Sequence, residues 1–139
     1  MRVYRKVIPL RWGDLDAMNH LNNTLYFRLM EEARISWFVA HDMMVDLTNS
    51  DRADGPILAF ASCDFVKPMT YPANAVVTQT VTRVGRTSMD LDLTIEGDEA
   101  APVLYARGKN VLVWMDYKAG KSAPWPARLR AALDGVPAS

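Results

Sequence analysis

Cysteine and histidine are scarce in this sequence. The 139 residues include one cysteine, Cys63, and two histidines, His20 and His41. One cysteine cannot close an internal disulfide, and no apolar stretch typical of a signal peptide follows Met1, so we expect a cytoplasmic protein. None of the His and Cys spacings typical of zinc sites occurs, so we expect chemistry that requires no metal.

The sequence also lacks net charge and long hydrophobic runs. Its 16 Lys and Arg balance 16 Asp and Glu, which leaves no overall positive field for nucleic acid or an anionic membrane. No segment approaches the ~20 apolar residues that span a bilayer. Hydrophobic residues make up 50% of the chain. This composition is typical of a globular protein, and the length suits a single domain over residues 1–139.

Hydrophobic periodicity predicts one long helix among several strands. Residues 24–42 contain no proline or glycine, and apolar residues lie on most sides of the helix that they would form, so we expect it to be buried on more than one side. Asn22 or Asn23 suits the N-cap. Strands are predicted at residues 3–10, 57–66, 76–84, 88–96 and 103–116, with a bulge at Gly108, and a short C-terminal helix within residues 126–133.

This order of elements predicts an α+β fold. Antiparallel strands with one apolar face need a hydrophobic partner, and the long helix is the only element large enough to be it. We therefore expect a curved antiparallel sheet of five strands wrapped around one long central helix. Because the helix is so apolar and the sheet is open, we also expect a homo-oligomer, a dimer at least.

Chemically useful side chains concentrate in the loop before the long helix. Residues 11–23 read RWGDLDAMNHLNN, and Tyr26 and the tetrapeptide EEAR at residues 31–34 follow them. Two later segments are DFVKP at residues 64–68 and RVGRTS at residues 83–88. Together these segments resemble the 4-hydroxybenzoyl-CoA thioesterase-like proteins of the hotdog fold, and the resemblance covers nearly the whole chain.

The resemblance implies a fold, an activity and two catalytic positions. It implies a hotdog fold, dimers or tetramers with active sites at the subunit interface, and hydrolysis of an acyl-CoA to a carboxylic acid and CoA. Coenzyme A is then part of the substrate, and no cofactor is implied. The family's catalytic Asp matches Asp16, and its carbonyl-polarising backbone N–H matches Asn23. Two positions depart from the family: Asn19 replaces a common glycine, and Asn74 lies between alanines where an acidic residue is common.

Elementary chemistry agrees with these two positions. Thioester hydrolysis needs a nucleophile or base, and it needs positive potential where the carbonyl oxygen becomes an oxyanion. The N-terminus of the helix at Asn23 offers free N–H donors and a partial positive charge, and the loop can fold back to bring Asp16 near them. The sequence leaves open whether Asp16 attacks the carbonyl or deprotonates water. An aspartate in such a loop is also a common turn residue.

Three further polar residues have a functional and a structural interpretation. His20 is a catalytic candidate that could position water, and Asn19 is a substrate-binding candidate, although structural hydrogen bonds or capping would also explain both. Glu31 is a reserve nucleophile. Its alternative role is an ion pair with Arg28 or Arg34, either at a dimer interface or on the helix surface.

A basic turn is the candidate site for the phosphates of CoA, because arginine and hydroxyl groups suit phosphate oxygens. The candidates are Arg83, Arg86, Thr87 and Ser88, for which ordinary turn solvation is the alternative. Lys67, Arg107 and Lys109 have weaker support. Cys63 lies in an apolar strand and is interpreted as a core residue.

Two other functions remain open from the sequence. A non-catalytic hotdog protein would bind acyl-CoA without turnover. An acyl-carrier-protein thioesterase would need a basic docking surface, which the neutral net charge does not supply. The sequence does not specify the acyl group, the pathway, or the choice between dimer and tetramer.

Overall fold

The computed structural model describes residues 2–41 and 53–133. Strand β1 (Val3–Pro9) leads through a 3-10 turn at Trp12–Asp14 into the long helix α1 (Asn23–Ala40). Strands β2 (Asp54–Phe65), β3 (Asn74–Val84), β4 (Ser88–Glu96) and β5 (Leu104–Asp116) follow, and then the two-residue strand β6 (Lys121–Ser122) and the short helix α2 (Ala127–Ala132). No helix in the described ranges is long and apolar enough to cross a membrane.

The strands form one antiparallel sheet around α1. Their order is β1-β3-β4-β5-β2, with β6 paired to β5. Helix α1 contacts β1, β2 and β3, so strands from both edges and from within the sheet touch the same helix. This confirms the predicted hotdog architecture of a curved sheet wrapped around one long helix.

The core lies between α1 and the inner face of the sheet. Met30, Ala33 and Trp37 on α1 are fully buried. The alternation predicted for β4 is observed, because Met89, Leu91, Leu93 and Ile95 are buried and the residues between them are more exposed. Burial of each large apolar side chain stabilises the fold by about 1.5–3 kcal/mol, so this contact fixes α1 against the sheet.

Asn22 is the N-cap of α1. Its side-chain oxygen accepts a hydrogen bond from the N–H of Thr24 at 3.1 Å, which satisfies one of the free donors of the first turn. One of the two capping candidates is therefore confirmed. The predicted end of the helix at residue 42 lies outside the described residues.

The predicted bulge at Gly108 is wrong. Gly108 pairs in continuous register with Leu93 and Cys63, and the register shifts lie elsewhere, at 58/60, 81/83 and 95/96. A Cβ atom on Gly108 would lie 2.5 Å from Cε of Met30 and 2.9 Å from the carbonyl oxygen of Ser62. Glycine is required here because α1 approaches the sheet closely.

The two edges of the sheet differ in chemistry. Strand β1 carries Arg5 and Lys6 and ends at Pro9, features that discourage pairing with another strand. Strand β2 is 12 residues long and contains no lysine or arginine. It exposes Ile57, Leu58 and Phe60, and within the described ranges only β5 pairs with it. The β2 edge is therefore long, apolar and open.

Candidate active site

The loop between β1 and α1 is folded into a compact turn by hydrogen bonds within the loop. The N–H of Asp16 donates to the carbonyl oxygen of His20 at 2.8 Å, and Leu15 and Leu21 form an antiparallel bridge. The N–H of Leu21, a buried residue, donates to the carbonyl oxygen of Met69 at 2.8 Å. The loop is thus anchored to the β2–β3 connection, and Asp16 lies near the start of α1.

The Asp16 carboxylate has one occupied oxygen and one free oxygen. Oδ1 accepts the N–H of Met18 at 2.8 Å and the N–H of His20 at 3.1 Å. These two backbone hydrogen bonds hold the pKa of Asp16 below its ordinary value, and the one from His20 has the larger effect. Oδ2 accepts no hydrogen bond from any residue the structure describes. The side chain is therefore an exposed, ionised carboxylate held in a fixed position.

Asp16 shares a cavity of about 350 Å³ with the N-terminus of α1. The cavity is lined by Asp16, His20, Leu21, Asn22, Asn23, Tyr26, Phe65, Val66, Lys67 and Pro68. Asn22 binds the N–H of Thr24 with its side chain and that of Leu25 with its carbonyl oxygen. Among the residues described, the N–H of Asn23 has no acceptor. A free donor and an ionised carboxylate thus line one cavity, at the positive end of the helix dipole.

His20 and Asn19 hold the loop in different ways. The backbone of His20 positions Asp16, and its imidazole lines the cavity without a hydrogen bond to any described residue. Asn19 has a φ of 56°, and its amide bridges to Tyr71, donating to the carbonyl oxygen at 3.4 Å and accepting the N–H at 3.3 Å. Asn19 does not line the cavity. Its side chain ties the loop that carries Asp16 to the neighbouring β2–β3 connection.

The predicted phosphate-binding turn lies at the other end of the sheet within one chain. Pro9 pairs with Asn74, so the Asp16 loop lies at the start of β3, whereas residues 85–88 follow the end of β3. Eleven strand residues span roughly 35 Å. The structure therefore does not bring Arg83, Arg86, Thr87 and Ser88 to Asp16 in a single subunit.

Most of this turn is engaged in the fold. Arg83 binds the Asp90 carboxylate through Nε at 3.0 Å and Nη2 at 2.9 Å, and it also donates to Oγ of Ser88 at 2.9 Å. The mutual hydrogen bonds raise the pKa of Arg83 and lower that of Asp90. Thr87 accepts a backbone hydrogen bond from Trp114. The Arg86 side chain is exposed and makes no hydrogen bond with a described residue.

Four of the remaining candidates, Glu31, Cys63, Arg107 and Lys109, lie outside the Asp16 cavity. Glu31 is exposed and forms no ion pair within 4.0 Å with the two arginines proposed for it, in the part of the chain that is described. Arg107 and Lys109 line a separate cavity. Burial raises the pKa of the half-buried Cys63 thiol, consistent with a packing role. No group of three metal-ligating side chains occurs in residues 2–41 and 53–133.

Sequence reasoning gave too little weight to three lining residues. Tyr26 accepts the N–H of Met69 at 3.2 Å, and burial raises the pKa of its phenol, so it stays protonated. Phe65 packs edge-on against Tyr26 with ring centroids 5.2 Å apart. Lys67 adds a cationic side chain to the same cavity. The available signal was the DFVKP segment, which ends β2 beside the helix N-terminus.

Comparisons with known proteins bear on the family and the fold. The family model of the thioesterase-like superfamily matches residues 10–133. The PA2801 protein from Pseudomonas aeruginosa has a TM-score of 0.87 at 35% identity, over 96% of this chain and 99% of that one. Slr0204 from Synechocystis, a 1,4-dihydroxy-2-naphthoyl-CoA thioesterase, shares the fold. Its TM-score is 0.86 at 22% identity, over 96% of this chain and 97% of that one. The YsmA protein of Bacillus subtilis (strain 168) is 28% identical over 119 residues, 85% of this chain and 76% of that protein.

Proposed function

The chain belongs to the thioesterase-like superfamily, and we propose that it hydrolyses an acyl-CoA to the free carboxylic acid and CoA. One observation carries this proposal. The ionised carboxylate of Asp16 and the free N–H of Asn23 line the same cavity. These are the two groups that thioester hydrolysis requires, a negative group to attack or to take a proton, and a donor for the developing oxyanion.

The Asn23 N–H would donate to the thioester carbonyl oxygen, and the helix dipole would stabilise its negative charge. Two routes use this geometry. In one, Oδ2 of Asp16 attacks the carbonyl carbon, the C–S bond breaks to release CoA thiolate, and water hydrolyses the resulting anhydride. In the other, Asp16 takes a proton from water, whose hydroxide attacks the carbonyl and displaces the thiolate. His20 lies where it could orient water in either route.

We further propose that the active unit contains a homodimer formed through β2. In a monomer, the open edge of β2 exposes the apolar side chain of Phe60, which is 53% accessible. It also exposes the backbone N–H and C=O groups of β2 that do not pair with β5. Antiparallel pairing of β2 with its copy places the start of one strand beside the end of the other. Asp54 and the 85–88 turn lie at the same end of the sheet, so pairing brings the partner's Arg86 toward the Asp16 cavity. There it could bind a phosphate of CoA.

The proposed function is tested by free-thiol release from short, medium, long and aromatic acyl-CoAs. Asp16→Asn keeps an oxygen that can accept the Met18 and His20 N–H groups but removes the charge. We expect it to lose on the order of a hundredfold or more in kcat/KM. Asp14→Asn is the matched control, because Asp14 lies two residues away and its carboxylate binds Arg11 instead. Equal activity of Asp16→Asn and wild type would contradict the assignment.

The alternatives predict different outcomes of the same assay. Binding of acyl-CoA without thiol release from any substrate would indicate a non-catalytic binding protein. Faster turnover of an acyl group on a carrier protein than on CoA would indicate an acyl-carrier-protein thioesterase.

A further inference from the structure

Two cavities follow each other along α1 beside β2, and two phenylalanine rings lie between them. Phe65 lines the Asp16 cavity, and its ring centroid lies 6.5 Å from that of Phe27. Phe27 in turn lines a second cavity of about 210 Å³. Both phenylalanine rings are partly exposed, and the surface that joins the two cavities across them is called the groove below.

The second cavity contains two deeply buried polar side chains. It is lined by Phe27, Arg28, Glu31, Arg34, Leu58, Ala61 and Asn110. Arg34 is 7% exposed and Asn110 is 1% exposed. Nη1 of Arg34 donates to Oδ1 of Asn110 at 2.8 Å, and Nδ2 of Asn110 donates to the carbonyl oxygen of Lys109 at 2.9 Å. The amide thus holds the guanidinium at the cavity wall.

Arg34 is a buried cation without an anionic partner in the described ranges. No carboxylate there lies within 4.0 Å of it, and only one of its five N–H donors has an acceptor. Buried charges in proteins are normally paired. Burial lowers the pKa of Arg34, and the more distant Glu31 only partly opposes this effect. With two arginines and one glutamate, the cavity lining carries one net positive charge.

We propose that this cavity binds a carboxylate at the far end of the acyl group, so that the substrate is the CoA monothioester of a dicarboxylic acid. This inference rests on the proposed function. A guanidinium binds a carboxylate through two parallel hydrogen bonds, and one added negative charge neutralises the lining. The solvated CoA extends outward past Lys67, and the acyl group follows the groove inward.

The spacing along α1 sets the scale of this acyl group. Arg34 follows Asn23 by eleven residues, roughly 16 Å of helix. Helical side chains lean toward the N-terminus, which shortens the path from the thioester carbonyl to the guanidinium. An acetyl or propionyl group is too short to reach it. A medium-length chain with a terminal carboxylate spans the groove.

The test compares two substrates of equal chain length, one ending in a carboxylate and one ending in a methyl group. We expect wild type to prefer the carboxylate substrate in kcat/KM. Arg34→Gln should lower kcat/KM for the carboxylate substrate by on the order of 30-fold, mainly through KM, because a desolvated charge pair is lost. The methyl-terminated substrate should change little. Arg5→Gln is the control, since it removes the same charge from an exposed position on β1, away from both cavities.

A second variant keeps the inference testable if Arg34→Gln does not fold. Asn110→Asp is nearly isosteric and places a carboxylate against Arg34, so it should compete with the acyl carboxylate and lower use of that substrate alone. Equal kcat/KM for the two substrates in wild type would overturn the inference. The inference would also be overturned if Arg34→Gln kept the preference for the carboxylate substrate. If Arg34→Gln lost the dimer but kept this preference, Arg34 would be an interface residue. If no thiol is released from either substrate or from any acyl-CoA of the wider panel, the proposed function is overturned as well.

Discussion

At the scale of single residues, the ionisation of Asp16 should govern the acid limit of activity. Backbone hydrogen bonds lower its pKa in the folded protein, so the carboxylate stays charged below the pH at which a free aspartate is half protonated, about 3.9. We expect kcat/KM to show no decline attributable to Asp16 between neutral pH and about pH 5. A pH–rate profile with circular dichroism at each pH measures this. A decline near pH 6 in folded enzyme that is also present in Asp14→Asn would contradict it.

The lowered pKa of Asp16 also makes the stability of the folded protein depend on pH. Because the folded pKa of Asp16 is depressed, its ionisation contributes stability above the unfolded pKa, and this contribution is lost as the pH falls through the folded pKa. Asp16→Asn removes the contribution. The difference in unfolding free energy between wild type and this variant should therefore shrink on acidification, which urea titrations at several pH values can follow.

Asn19 combines a left-handed backbone with a side-chain bridge, and two substitutions separate these roles. Asn19→Gly tolerates the φ of 56° but loses the bridge to Tyr71. Asn19→Ala loses the bridge and adds about 1–2 kcal/mol of backbone strain. We expect both variants to lower kcat, and only the alanine variant to be strongly destabilised in thermal unfolding. If Asn19→Gly has the same kcat as wild type, the bridge from Asn19 to Tyr71 does not position the loop that carries Asp16.

At the scale of elements, the close approach of α1 to the sheet at Gly108 predicts a packing defect. In Gly108→Ala the Met30 side chain can move away, but the Ser62 carbonyl oxygen is backbone and cannot easily do so. We expect a loss of about 1–3 kcal/mol, typical of overpacking, in urea unfolding. Gly13→Ala is the control, because a Cβ there meets nothing within 4 Å. Equal stability of both variants would contradict the close approach.

Elements with a sustained pattern were predictable from the sequence. Strand β4 alternates strictly because it buries one face, and it was predicted with its observed bounds. Helix α1 was predictable because its apolar run contains no proline or glycine. Strand β2 begins at Asp54, three residues earlier than predicted, since backbone pairing with β5 continues through Gly55 and Pro56, residues normally read as turn signals. Glycine at residue 108 suits either a bulge or a close contact, and only the position of Met30 decides between them.

The site was predictable only in its local part. Asp16 and Asn23 lie seven residues apart, and the loop that joins them has a recognisable pattern. Phe65 and Lys67 reach the same cavity from about 40 residues away, through the pairing of β2 and the docking of the β2–β3 connection. Arg34 was considered as a surface partner of Glu31 because of its spacing on the helix. The fold turns Arg34 inward to Asn110, 76 positions away.

At the scale of the whole molecule, the proposed dimer predicts that the two sheet edges respond differently to charge. Phe60→Lys puts a cation on the open β2 edge, where it opposes strand pairing. We expect it to shift the protein toward monomer in sedimentation experiments and to reduce thiol release in parallel. Val7→Lys makes the same kind of change on β1, where Val7 is 44% exposed, and should remain dimeric. Dimeric Phe60→Lys would place the interface elsewhere.

The strand order also dictates when the sheet can close during synthesis. Strand β2 leaves the ribosome early, but its neighbour in the sheet is β5, which begins roughly forty residues later. At about 5–20 residues per second, β2 waits for seconds with its apolar side chains and backbone groups unpaired. The chain is thus most prone to aggregation before β5 emerges, and slow translation of residues 66–104 should reduce the yield of folded protein.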